Sequence, residues 1–260
     1  MDVYVVDAFT DTPFSGNPAG VVLLDAPAET AWMQSVAAEL NHSETAFVVT
    51  GGAADEPKSL RWFTPTTEVD LCGHATLATA HVLGDEQRFT TASGELACTS
   101  LADGTIEMDF PLGLAEPVEP PEEVVDALPG VTIEACAQGK SWVLVQVASA
   151  AEVRALHPDL DALDDAHDVI VTAAGDRPGL DFVSRVFAPN VGVPEDPVTG
   201  SAHCILASYW SQKLGRTGHG ERFAAEQASP RGGEVQVTLR GTRVGLAGRA
   251  VTVLRGQLHA

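Results

Sequence analysis

Lysine is nearly absent from this chain. Its 260 residues hold 15 Lys and Arg against 36 Asp and Glu, a formal net charge of -21, and the lysines are Lys58, Lys140 and Lys213 alone. So acidic a protein is repelled by nucleic acid and by anionic membranes, which argues against both as partners. No apolar run approaches the roughly 18 residues that a membrane span needs. No basic region precedes an apolar stretch at the start, where Met1-Asp2-Val3-Tyr4-Val5-Val6-Asp7 reads directly as a strand, so a cytoplasmic protein without a signal peptide is expected. Cys72, Cys98, Cys136 and Cys204 show no CxxC spacing, which argues against a zinc knuckle or redox pair and for buried free thiols. There is no GxGxxG after a strand and no GxxxxGK(S/T), so no nucleotide cofactor is indicated. His42, His74 and His203 lack the HxxxH spacing of a helical zinc site, and no metal is expected.

What is present is an ordinary folded composition, 45% apolar with 24 Gly and 16 Pro, and a pattern written twice. Arg61-Trp62-Phe63-Thr64-Pro65 leads to Cys72-Gly73-His74-Ala75 and an apolar run; Arg185-Val186-Phe187-Ala188-Pro189 leads to Thr199-Gly200-Ser201-Ala202 and another. A repeat this long implies two similar domains of about 130 residues, not a solenoid with units of roughly 20–50. Strand-like segments cover 3–9, 19–24, 45–49, 60–64, 89–91, 95–101 and 105–110, with helices at 29–40 and 73–83, the latter closed by Gly84. The Pro-, Gly- and acid-rich stretch 111–121 is the best linker. Beyond it strands are expected at 142–147, 168–172, 182–187, 234–240 and 249–254, with helices at 151–156 and 200–214, the latter closed by Gly215. The expectation is an α+β fold of two pseudo-symmetric domains, each a mostly antiparallel curled sheet around a central helix. Their boundaries are placed at 1–115 and 116–260, with the last strand able to return to the first domain. Uniform acidity with scarce lysine also fits a high-salt cytoplasm, where counter-ions screen the carboxylates.

Three groups of residues have the chemistry for a site. Gly73 and Gly200 each sit where a loop enters a long helix, and the unpaired N–H groups and partial positive charge there suit an anion such as a substrate carboxylate. Either glycine alone reads equally as an ordinary helix start; the matched pair favours a ligand. In Asn41-His42-Ser43-Glu44-Thr45, Glu44 is the candidate proton carrier, because a carboxylate half-buried beside an apolar strand can have its pKa raised toward neutrality. The alternative is a surface loop with Asn41 or Ser43 capping a turn. In Glu195-Asp196-Pro197-Val198-Thr199-Gly200-Ser201 the prolines fix how Asp196 is presented. Asp196 and Ser201 are then substrate contacts, unless Asp196 or Thr199 simply caps the helix. His74 could donate a proton or hydrogen bond to substrate, or be structural. Glu44 has no counterpart legible in the second copy.

These motifs, with Val6-Asp7-Ala8-Phe9-Thr10 and Gly16-Asn17-Pro18-Ala19-Gly20, resemble the PhzF-like family of phenazine biosynthesis, in the expected order from residue 2 to about 210. The resemblance implies a diaminopimelate-epimerase-like fold with the active site in the inter-domain cleft. It implies a cofactor-independent isomerase, usually a homodimer, acting on a small carboxylate. It assigns Glu44 as general acid/base, with His74 and Asp196 as catalytic partners and Ser201 as a substrate contact. The amides of Gly73 and Gly200 would hold the carboxylate, beside Cys72 and Thr199. Related amino-acid epimerases carry a cysteine at both helix starts; a threonine hydroxyl is a poor substitute for a thiolate base, so Thr199 disfavours a two-cysteine racemase. Where relatives often carry a Gln-Gly…Arg-Pro stretch this chain has Gln227-Ala228-Ser229-Pro230-Arg231-Gly232-Gly233, which leaves the role of Arg231 open. The rival readings are a small-acid binding protein without turnover and a racemase or epimerase using Cys72.

Overall fold

The computed structural model describes residues 1–53, 56–140, 142–163, 168–189 and 193–259. The chain divides into two compact units, Met1–Asp109 with Ala247–Ala260 and Phe110–Leu246. Residues 110–115 fall in the second unit and 247–260 in the first.

The first unit runs β1 (Asp2–Ala8), β2 (Asn17–Leu24), α1 (Thr30–Leu40), β3 (Glu44–Val49), β4 (Lys58–Phe63), β5 (Glu68–Val69), α2 (Gly73–Leu83), β6 (Gln87–Thr91), β7 (Gly94–Ser100) and β8 (Ile106–Pro111). The second opens with β9 (Glu116–Pro117) and α3 (Glu122–Ala127). It then repeats the order: β10 (Ile133–Gln138), β11 (Trp142–Val147), α4 (Ala150–Ala155), β12 (Asp168–Ala174), β13 (Phe182–Ala188), β14 (Val193–Asp196), α5 (Gly200–Lys213), β15 (Arg222–Gln227), β16 (Gly233–Arg240) and β17 (Arg243–Gly248). A last strand, β18 (Ala250–Gln257), follows.

Strand pairing matches step for step. β1–β2 and β10–β11 are antiparallel, and β2–β3 and β11–β12 parallel. β3–β4 with β12–β13, and β4–β5 with β13–β14, are antiparallel. β4–β6 and β13–β15 are parallel, and β6–β7 and β15–β16 antiparallel. Each parallel pair is bridged by a helix, because parallel neighbours need a crossover connection. The strand that completes each unit comes from beyond the repeat: β18 pairs with β1, and β9 with β10. The stretch 111–121, expected as a linker, therefore contributes a strand.

Two helices carry the cores. In α2 every residue from His74 to Ala80 is buried, and in α5 every residue from Ala202 to Ser211. A helix covered all round is a core helix, whereas α1 buries only the stripe Met33, Val36 and Ala37. That stripe joins Val3, Val22, Leu24, Phe47 and Phe63. The second unit has its own apolar cluster around Val145, Val153, Val171, Val183 and Phe187. Gly84 ends α2 at φ 72°, a left-handed conformation that glycine adopts without strain. Short strands the pattern did not reveal, β5, β9 and β14, run two to four residues, too short for alternation to register.

Candidate active site

The repeated Arg-x-Phe explains itself first. Arg61 forks onto Glu68 (Nε–Oε1 2.6 Å) while its guanidinium lies 5.2 Å from the Phe63 ring centre. Arg185 forks onto Glu195 (2.7 Å) and lies 5.0 Å from the Phe187 ring centre. Each clamp pins a short hairpin, β4–β5 or β13–β14, that delivers the chain into a core helix. The motif is thus the frame of the site.

This frame fixes which residues correspond. Thr45 pairs with Phe63 and Val169 with Phe187. Asp168, opening β12, is therefore the counterpart of Glu44, opening β3. The expectation that Glu44 has no match in the second copy is corrected: the match is a shorter carboxylate, placed by register and invisible to motif comparison. Counting onward from Glu68 and Glu195, Asp196 stands opposite Val69, Thr199 opposite Cys72, and Ser201 opposite His74.

In the first unit, Glu44, Cys72 and His74 come together. Ala19 pairs with Glu44 across parallel β2 and β3, and Asn17 and Glu44, the first residues of these strands, both approach His74 at the N-terminus of α2. His74 is 4% exposed and lies between two neighbours. Its Nε2 is 3.3 Å from Glu44 Oε2, and its Nδ1 is 3.5 Å from Cys72 Sγ. A residue that motif reading assigned no role, Asn17, completes the group: its Nδ2 is 3.2 Å from His74 Nδ1, and it is wholly buried. Burial, with a smaller contribution from nearby His42, pushes the His74 pKa down to about 3, so the imidazole is neutral near pH 7. Glu44 stays 18% exposed at its side chain and is reachable from solvent. Glu44, Cys72 and His74 bring three metal-donor atoms within 4.8 Å of one another. The closest approaches, however, use opposite ring nitrogens, Nδ1 toward Cys72 and Nε2 toward Glu44.

In the second unit, Asp196, Thr199, Gly200 and Ser201 gather at the start of α5. Thr199 donates its hydroxyl to Asp196 Oδ2 (2.5 Å) and accepts from Gln227 Nε2 (3.1 Å). Gln227, fully buried, also accepts from the Thr199 amide (2.8 Å) and donates to the Asp196 carbonyl (2.7 Å). Asp196 is thus held by its own turn, and the Thr199 hydroxyl is committed on both sides. Ser201 is exposed at the second helical position. His203 is structural: its Nδ1 donates to the Thr199 carbonyl (2.8 Å), as the Thr76 hydroxyl does to the Cys72 carbonyl (2.5 Å) at the same step of α2.

Neither Cys72 nor Thr199 caps its helix with its side chain. This overturns the reading of Thr199 as a simple cap; its hydroxyl turns to Asp196. With Gly73 and Gly200 as first helical residues, both helix starts have the partial positive charge that suits an acid.

The family model for "phenazine biosynthesis-like protein" matches residues 6–256. An uncharacterized isomerase of Pseudomonas aeruginosa is 47% identical over 100% of this chain and 99% of its own. Another, from Halalkalibacterium halodurans, is 44% identical over 98% of this chain and 97% of its own. Among solved structures, a PhzF-family phenazine biosynthesis protein of Enterococcus faecalis superposes with a TM-score of 0.91 at 40% identity, covering 100% of this chain and 99% of that one. The α+β architecture expected from the sequence is thereby shown, and the chain belongs to the phenazine biosynthesis-like isomerase family.

Proposed function

We propose that this protein is a cofactor-independent isomerase that moves a proton on a small carboxylate substrate, with Glu44 as general acid and base. The observation that carries this reading is Glu44 itself: a partly exposed carboxylate 3.3 Å from a buried, neutral histidine, beside a core helix whose first N–H groups are left uncapped by the N-cap side chain. The helix start binds the substrate carboxylate, His74 steadies the Glu44 carboxylate through Nε2, and Glu44 takes the proton from one carbon and returns it to another. Asp196 and Ser201 contribute further substrate contacts. The same reading places the enzyme in the cytoplasm as a homodimer.

A racemase built on Cys72 is the second reading, supported by the Cys72–His74 contact. Its weakness is Thr199, whose hydroxyl both donates and accepts and cannot supply the second base. Cyclic and amino carboxylates that raise the melting temperature identify ligands by mass action. Each is then incubated in D2O. The Glu44→Gln variant should keep ligand-induced stabilisation while deuterium incorporation falls by roughly 10²–10⁴-fold. Undiminished incorporation sinks the assignment. Cys72→Ala abolishing incorporation while Glu44→Gln spares it establishes the racemase, and no incorporation from any bound acid establishes a binding protein.

A further inference from the structure

A neutral imidazole carries one proton, and whichever nitrogen accepts a hydrogen bond leaves the proton on the other. Both groups facing Nδ1 are donors in their neutral forms: the Asn17 amide nitrogen at 3.2 Å and the Cys72 thiol at 3.5 Å. Nε2, on the far side, lies 3.3 Å from the Glu44 carboxylate, an acceptor when ionised, and is a buried polar atom with no aligned hydrogen bond among the described residues. Asn17 is fully buried, and the chain is built to put it there. Gly16 before it adopts φ 64°, and a Cβ on Gly16 would come within 2.2 Å of the Ala8 carbonyl, so only glycine admits this tight return from β1 into β2.

We propose that Asn17 is a positioning residue that fixes the tautomer of His74, holding Nδ1 as acceptor so that the proton stands on Nε2, the nitrogen 3.3 Å from Glu44. The proposal rests on the reading of Glu44 as the proton carrier, and it adds the residue that keeps the Glu44–His74 pair poised. When Glu44 gives up its carboxylate charge by taking a proton, the Nε2–H has lost its best acceptor. A fixed tautomer therefore strengthens the pair only in the ionised state.

The test reads the tautomer directly and needs no substrate. Long-range 1H–15N correlation spectra of histidine-labelled protein are recorded near neutral pH, with His74→Asn used to assign the His74 signals. The expected wild-type pattern is a pyridine-like Nδ1 and a pyrrole-like Nε2. Asn17→Asp places an acceptor against Nδ1 and should reverse the pattern or give the imidazolium; Asn17→Ala should give mixed tautomers. A pyrrole-like Nδ1 in the wild type overturns the proposal, and so does an unchanged pattern in the folded variants. Where neither variant folds, the wild-type spectrum decides alone. In the deuterium assay Asn17→Asp should lose roughly tenfold or more, a loss that Asn17→Gln, which keeps the donor, partly restores. The two readings fail separately: Glu44→Gln with full turnover removes the catalytic role of Glu44 but leaves the His74 spectrum as it is.

Discussion

At the residue scale, His203 and Thr76 show how one structural task was given to unlike side chains. Both tie the first turn of a core helix to its N-cap carbonyl, but only His203 titrates. Burial pushes its pKa down from 6.5 to about 4. Between those values the unfolded chain holds a proton that the folded chain does not, so stability is complete above about pH 6.5 and falls as the pH drops toward 4. The loss is on the order of 3 kcal/mol, and His74 adds a slope of the same sign. Urea unfolding at pH 7 and pH 4.5 should show this drop, and His203→Thr should reduce it by at most about half, since His74 supplies an equal share; an equal drop in the variant would contradict the account. Motif comparison exposed Cys72 against Thr199 and His74 against Ser201, because neighbours in sequence aligned them. Asn17 and Gln227 stayed silent. Their partners lie 57 and 28 positions away, and one amide reaching across a fold leaves no periodic trace.

At the element scale, the two arginine clamps differ in what burial makes of them. The side chains of Arg61 and Glu68 are 33% and 35% exposed, so water screens the pair. Arg185 and Glu195 are 9% and 18% exposed, and Arg185 also donates to the carbonyls of Val153 and Leu156. Removing one partner of a buried pair strands the other charge. Arg61→Ala should cost about 1 kcal/mol or less, and Arg185→Ala about 3 kcal/mol or more, measured by chemical unfolding. Equal costs would mean the clamps are not distinguished by solvent. The core helices and longer strands were legible because apolar runs and glycine stops mark them. β10, β15 and β17 were not: Ile133–Gln138, Arg222–Gln227 and Arg243–Gly248 lack the strong β-branched alternation of β16 and draw their conformation from pairing with neighbours.

At the scale of the whole molecule, the charge of -21 is a feature of the folded state and of its salt dependence. Compacting so many like charges is unfavourable, and counter-ions relieve it; the screening length shrinks from roughly 10 Å at 0.1 M salt to 3 Å at 1 M. Thermal unfolding at those two concentrations of sodium chloride should show a higher midpoint in the saltier buffer, and a midpoint that does not move would refute adaptation to high salt. The duplication was legible from the repeated motif. Of the exchange of completing strands, the return of the last strand to the first domain was left open by the sequence, but the strand at Glu116–Pro117 was not legible, because nothing in 111–121 states which sheet will receive it.

That exchange sets an order of assembly. Phe110–Leu246 is one uninterrupted stretch and holds its completing strand, β9, at its own beginning. The first unit, although its residues are made first, lacks the second neighbour of β1 until Ala250–Gln257 has been synthesised; β2 already covers the other edge. On the ribosome, then, the half that carries Glu44 waits with an open sheet edge while the half that carries Asp196 can already close. Glu44 is among the first residues made, yet the sheet it belongs to is completed only by nearly the last.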